Sequence, residues 1–273
     1  MKNPPSPRGR APNGRARQGR GELPAKQNKK EREGMIIIPA IDISAGQCVR
    51  LYKGDFATAH KVANSAPDTA RSFLEAGASI IHVVDLDGAK EGRRRNWETI
   101  EEILKTGAKI ELGGGIRDME TVAFYLDRGV ERVVLGSAAL SSPQFVKEAV
   151  SAYGGRIVVG IDAKGGFAAS SGWLTKSDVY FTELAKAMEA MGVANIIFTD
   201  IDTDGMLTGP ATERLLELQA AVSCRITASG GIRDLSHIKA LLDLGVYAAI
   251  AGKSVYSGTL DLKEAIKLCE KGA

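Results

Sequence analysis

The chain has 273 residues, 44% of them hydrophobic, and a nearly neutral balance of 36 Lys and Arg against 33 Asp and Glu. That is enough apolar material for one large domain with a full core. No run reaches the roughly 18 apolar residues a membrane-spanning helix needs, which excludes a helical membrane protein.

Charge divides the chain. Residues 1–34 hold ten Lys and Arg and three Glu, leaving 26 basic and 30 acidic residues over 35–273. The first segment is rich in Pro, Gly, Arg and Lys and nearly free of large apolar side chains, so it is expected to be disordered. It lacks the apolar core of a secretory signal. Met35 opens the first strand-like run directly. Three readings stand for the segment: a mis-called translation start, an inert extension, or a nucleic-acid-binding or organellar address. One folded domain is expected over 35–273, with no nucleic acid as its partner.

From Met35 onward, short apolar or β-branched runs alternate with stretches of helical spacing. The runs fall at 36–42, 79–85, 108–112, 132–136, 156–162, 194–200, 224–228 and 247–252. They lack polar alternation, as strands buried on both faces of a parallel sheet do. After the third run, Asp118 is placed to cap a helix bearing Met119, Val122, Tyr125 and Leu126, and Gly129 to stop it. After the seventh, Asp234 caps Leu235, Ile238, Leu241 and Leu242, and Gly245 stops it. Eight strand–helix units in about 240 residues match a (β/α)8 barrel. An open doubly wound sheet is the alternative, but it normally has one Gly-rich turn near its start.

The chain instead carries matched turns. At an offset of 116, the segment 113–140 recurs at 229–256, repeating Gly114, Gly115, Ile116, Arg117, Asp118, Leu126, Asp127, Gly129, Val130 and Gly136. Two similar half-barrels are expected. Gly114 and Gly115 follow the third strand, and Gly136 and Ser137 the fourth. Gly230 and Gly231 follow the seventh, and Gly252 and Lys253 the eighth. Backbone N–H groups at such turns bind phosphate. A substrate with a phosphate at each end is therefore expected, with the stronger site at Lys253.

Two aspartates end opposed strands, Asp42 the first and Asp162 the fifth. Facing carboxyl groups at strand ends suit acid and base roles. Thr199 ends the sixth strand, within reach of a reacting group. In the loop after it, Asp200, Asp202 and Asp204 lack the rest of a calcium loop and read as loop polarity or ligand contacts. His60, His82 and His237 have no ligand spacing, and no metal site is expected. Cys48, Cys224 and Cys269 are scattered and read as reduced packing residues of a cytoplasmic protein.

The motifs PAIDISAGQCVRLYKGD, HVVDLDGAKEG, GGGIRD, VGIDAKGG with SGW, FTDIDTDG, ASGGIRD and GKSVYSG stand in this order from Met35 to the C-terminus. Together they resemble the phosphoribosylformimino-AICAR (ProFAR) isomerase family of histidine biosynthesis. Single motifs are shared with a sister family, the cyclase subunit of imidazole glycerol phosphate synthase. That cyclase typically has Cys two residues before the first-strand aspartate, where this chain has Ala40. The resemblance implies a metal-free, cofactor-free Amadori rearrangement of a bisphosphorylated aminoaldose to an aminoketose. It implies Asp42 as base, Asp162 as acid and Thr199 as the residue orienting the sugar. Arg50 matches the family's arginine after the first strand, and Trp173 its substrate-covering tryptophan. Thr203 and Lys253 stand where relatives often carry Arg or Lys and, at times, Arg. Some relatives also isomerise phosphoribosylanthranilate, but GWLTKSD after the fifth strand favours the single-substrate enzyme. A monomer is expected.

Overall fold

Eight of the chain's strands run parallel and close on themselves as a (β/α)8 barrel. The computed structural model describes residues 1–3, 34–52, 55–170, 172, 173 and 175–271. The expectation of disorder over 1–34 falls, for residues 4–33, outside the described residues. The chain separates into residues 1–31 and a unit over 32–273, and the architecture that follows is that of the second.

The strands are β1 (Ile36–Ser44), β2 (Gln47–Tyr52), β3 (Asp55–Ala63), β4 (Ile81–Asp85), β5 (Ile110–Gly113) and β6 (Arg132–Leu135). They continue as β7 (Ile157–Lys164), β8 (Phe167–Ser170), β9 (Thr175–Tyr180), β10 (Asn195–Asp200), β11 (Arg225–Ser229) and β12 (Ala248–Ala251). The barrel runs β1-β4-β5-β6-β7-β10-β11-β12, and β12 pairs back onto β1 with Ile36 opposite Ala248. Each of the eight expected runs is a barrel strand, with ends within two residues of those read from the sequence.

Two apolar layers explain the missing alternation. Ile38, Ala40, Val134, Val158, Ile197 and Ile250 pack inside the barrel. Ile37, Ile41, Leu112, Leu135, Ile161 and Phe198 face outward against the helices. Strands buried on both sides leave no polar face. The two capped helices form as expected. Asp118 accepts from the Thr121 N–H at the head of Met119–Asp127 and buries Val122, Tyr125 and Leu126 beneath it. Asp234 accepts from the Ser236 N–H at the head of Leu235–Leu244, which buries Ile238 and Leu241.

Two features were not legible. β1 continues into an antiparallel hairpin, β2–β3, and β7 into another, β8–β9. Both rise from the carboxyl ends of opposed barrel strands. Their sequences mix charged, small and apolar residues without a period of two, because only Cys48, Val49, Ala168 and Ala169 of their described residues are buried and these form no continuous apolar face.

Candidate active site

A cavity of about 290 Å³ opens at the carboxyl ends of the barrel strands. Each residue expected to act in catalysis or substrate binding lines it: Asp42, Arg50, Gly114, Gly115, Gly136, Ser137, Asp162, Trp173, Thr199, Gly230, Gly231, Gly252 and Lys253. Ala40 lies on its wall as well.

Each opposed aspartate is held from its own hairpin. Arg50 on β2 places Nη1 2.5 Å from Oδ2 of Asp42. Burial works against the Arg50 charge, but Asp42 and the Tyr256 hydroxyl outweigh it and raise the guanidinium above its ordinary value. On the other side, the Trp173 indole N–H donates to Oδ2 of Asp162 at 2.8 Å. Burial raises the Asp162 carboxyl above the usual aspartate range, and hydrogen bonds from Trp173 and Thr199 oppose the rise only in part. Thr199 stands beside Asp162 because β10 and β7 pair in that register. Desolvation favours the neutral acid, so Asp162 keeps a proton further toward neutrality than an exposed aspartate does.

The glycine turns are tight for a packing reason. At Gly115, φ is +73° and a Cβ would lie 2.5 Å from the Gly88 carbonyl oxygen. At Gly231, φ is +77° and a Cβ would strike the Gly209 carbonyl. Each turn therefore presses on the loop that follows the preceding barrel strand. Gly136 and Ser137 lead into the short helix Ala138–Ser141, and Gly252 into Lys253–Tyr256. The third/fourth-strand end carries a cation. Arg117 also lines the cavity there, and the sequence reading counted it only as a repeated residue. At the opposite end, Lys253 Nζ donates to the Gly205 carbonyl at 2.6 Å. The Arg50 guanidinium lies where a side chain on residue 252 would have to sit.

The loop after β10 resolves into three separate jobs. Asp200 is buried and paired with Arg214 at 2.5 Å. Asp202 accepts from the Gly165 N–H and ties the loop to the β7–β8 turn. The first half repeats this device, with Asp87 accepting from the Ala45 N–H in the β1–β2 turn. Asp204 alone turns into the cavity. The sequence reading grouped it with Asp200 and Asp202 as loop polarity or ligand contacts, although a distinguishing signal was present: the D-L-D-G of residues 85–88 becomes D-I-D-T-D-G at 200–205, two residues longer. Burial raises the Asp204 carboxyl to about 6; Arg50 pulls it back, while Asp42 and Asp162 push it further up.

That shift has a sign. Between the ordinary value near 4 and about 6, the folded chain binds more protons at Asp204 than the unfolded chain does. Stability therefore falls as pH rises through this window, and the penalty persists above it. Asp204→Asn is expected to stabilise the fold at pH 8 by on the order of 2 kcal/mol more than at pH 4. Denaturant unfolding of both proteins at the two pH values checks this, and an equal difference at both would refute it.

Among the described residues, no group of three or more His, Cys, Asp or Glu is placed to hold a metal ion. No helix among them is long and apolar enough to cross a membrane.

A barrel with opposed carboxyl groups between two glycine-rich turns defines a (β/α)8-barrel enzyme. The sequence model of the histidine biosynthesis protein family matches residues 36–261, and the chain belongs to that family. It is 53% identical over 238 residues, 87% of this chain and all of the relative, to the 1-(5-phosphoribosyl)-5-((5-phosphoribosylamino)methylideneamino) imidazole-4-carboxamide isomerase of Clostridium novyi. Isomerases of the same name from Clostridium acetobutylicum and Listeria innocua are 50% and 48% identical, with 100% and 98% of their lengths covered.

Proposed function

We propose that the chain is itself a ProFAR isomerase, converting the bisphosphorylated aminoaldose to its aminoketose without metal or cofactor. The observation that carries this is the cavity: two matched glycine turns at opposite ends, each with a cation beside it, and carboxyl groups between them. An acid protonates the ring oxygen, and the furanose opens to a Schiff base. Asp42 then takes the C2 proton to give an enolamine, and a proton delivered to C1 with loss of the C2 hydroxyl proton completes the ketose. Asp162 serves as the acid, its proton retained by burial, with Thr199 orienting the sugar and Trp173 covering it. Gly114, Gly115, Gly136, Ser137 and Arg117 take one phosphate. Gly230, Gly231, Gly252, Lys253 and Arg50 take the other.

A second reading gives the acid's role to Asp204, favoured by its value of about 6 inside the same cavity. The two readings part on kcat. The variant Asp162→Asn or Asp204→Asn that removes the true acid loses on the order of 10²-fold or more, and the other keeps most of its turnover.

The reading is tested with the full chain and three substrates. It is expected to convert the aminoaldose in the presence of a chelator, to leave phosphoribosylanthranilate unchanged, and to show no ammonia-dependent cyclisation. Turnover of either of the last two would move the chain to the bifunctional or cyclase reading. Loss of activity on chelation, restored by one metal, would overturn the metal-free chemistry.

Cations at both ends imply a matched pair of binding defects. Lys253→Met and Arg117→Met are each expected to raise KM more than Ser137→Ala, with kcat largely kept, because charge-assisted contacts to a dianion are about twice as strong as neutral ones. Steady-state kinetics on the three variants decides it, and equal, negligible changes would make the turns structural corners only.

Cys48, Cys224 and Cys269 are free thiols, which supports the cytoplasm. The composition of residues 1–34 offers little to bury, so removal up to Met35 is expected to leave fold and turnover intact.

A further inference from the structure

We infer that Glu111 and Arg132 are positioning residues for His82, fixing the ring tautomer that offers its second nitrogen to the substrate; the role in turnover rests on the isomerase reading above. His82 is the second residue of β4, and its side chain lines the cavity. Its Nδ1 lies 2.9 Å from Oε1 of Glu111. Glu111 is fully buried, and Nη2 of Arg132 stands 2.9 Å from its other oxygen. A carboxylate paired with arginine accepts hydrogen bonds and donates none, so Nδ1 carries the hydrogen. In the neutral ring Nε2 is then an acceptor, and it is the nitrogen left for the cavity.

The two halves of the barrel supply the comparison. Across β4, β5 and β6, His82 stands beside Glu111 and Glu111 beside Arg132. In the same register across β10, β11 and β12, Ile197 stands beside Thr227 and Thr227 beside Ala248. The second half thus closes this layer with one hydroxyl and two apolar side chains, all buried. The fold does not need charge here. Nor is the ion pair tuned for stability, since Nε of Arg132 and Oε2 of Glu111 are both buried without a hydrogen-bond partner. Buried ion pairs are commonly no more stable than apolar side chains of like volume. What sets the first half apart is that its residue at the cavity is a histidine.

The opened sugar is tethered by a phosphate at each end but free to rotate between them. An acceptor nitrogen of fixed orientation takes a hydroxyl hydrogen and holds the C1–C2 bond toward the carboxyl groups. Such a contact acts on orientation, so its loss appears in kcat rather than in KM, which the phosphates dominate.

The test is Glu111→Gln in the full chain. The glutamine amide oxygen faces Arg132, its NH2 then donates to Nδ1, and the His82 hydrogen moves to Nε2. Nitrogen-15 NMR of the ring is expected to show the Nδ1–H tautomer in the wild type and the Nε2–H tautomer in the variant. We expect kcat to fall about 10–100-fold, the scale seen when a residue that orients a metal-ligating histidine is removed, with KM within about threefold. A second variant, Glu111→Thr with Arg132→Ala, installs the residues of the other half and guards against a folding defect. It is expected to leave His82 in mixed tautomers with kcat down about tenfold. Folded variants with wild-type kcat, or with an unchanged tautomer, would overturn the inference. A wild-type chain that does not turn over the aminoaldose would refute the isomerase reading instead, while the tautomer measurement still decides what Glu111 does.

Discussion

Asp42→Asn is expected to lower kcat by about 10²–10⁴-fold with KM little changed, which is the range a general base supplies. The substitution keeps the shape of the side chain and leaves an oxygen for Arg50 to donate to. What it removes is the basic oxygen at the end of β1. The phosphate turns lie at either end of the cavity and are untouched, so ground-state binding survives. A KM effect with kcat preserved would mean that Asp42 only anchors Arg50, which it meets at 2.5 Å. Steady-state kinetics beside wild type distinguishes the two outcomes.

Gly231→Ala and Gly245→Ala form a controlled pair. Both glycines have φ of +77°. An alanine at either position bears the left-handed cost of about 1–2 kcal/mol. At Gly245, the C-cap of its helix, nothing lies within 4 Å of the added methyl. At Gly231 the methyl strikes the Gly209 carbonyl, and the Gly209 N–H already donates to the Gly231 carbonyl. Relief requires the loop after β10 to move, and with it Asp204 and the Gly205 carbonyl that holds Lys253. Gly245→Ala should therefore cost stability alone. Gly231→Ala should cost more stability, raise KM at least about tenfold and lower kcat, because misplacement by about 1 Å costs on the order of 10²-fold in rate. Thermal melts and kinetics on both variants check it. Indistinguishable kinetics would show that the contact does not position the site.

The barrel was readable because its signals are local and repeated. Runs such as 194–200 declare buried strands by the absence of polar alternation. Asp118 and Asp234 declare helix starts by capping, and Gly245 declares a stop by its left-handed turn. The glycine turns were readable because they occur twice. What stayed hidden depends on partners distant in sequence. β2–β3 and β8–β9 bury only a few residues, among them Cys48 and Ala168, too few to impose a period. Asp204 looks like its neighbours Asp200 and Asp202, and only packing sends the three to an arginine, a backbone N–H and the cavity. His82 opens the motif HVVDLDGAKEG, but its role stayed hidden because its partners Glu111 and Arg132 sit one and two strands away in the sheet.

Single-turnover conversion of the bisphosphorylated aminoaldose, run on the full chain and on Asp42→Asn side by side with a chelator present, is the most direct measurement. Wild type is expected to form the aminoketose, and the variant to bind the aminoaldose but form product on the order of 10² or more times slower. A wild-type chain that leaves the aminoaldose unchanged, or a variant that matches it in rate, would contradict carboxyl-driven isomerisation in this barrel.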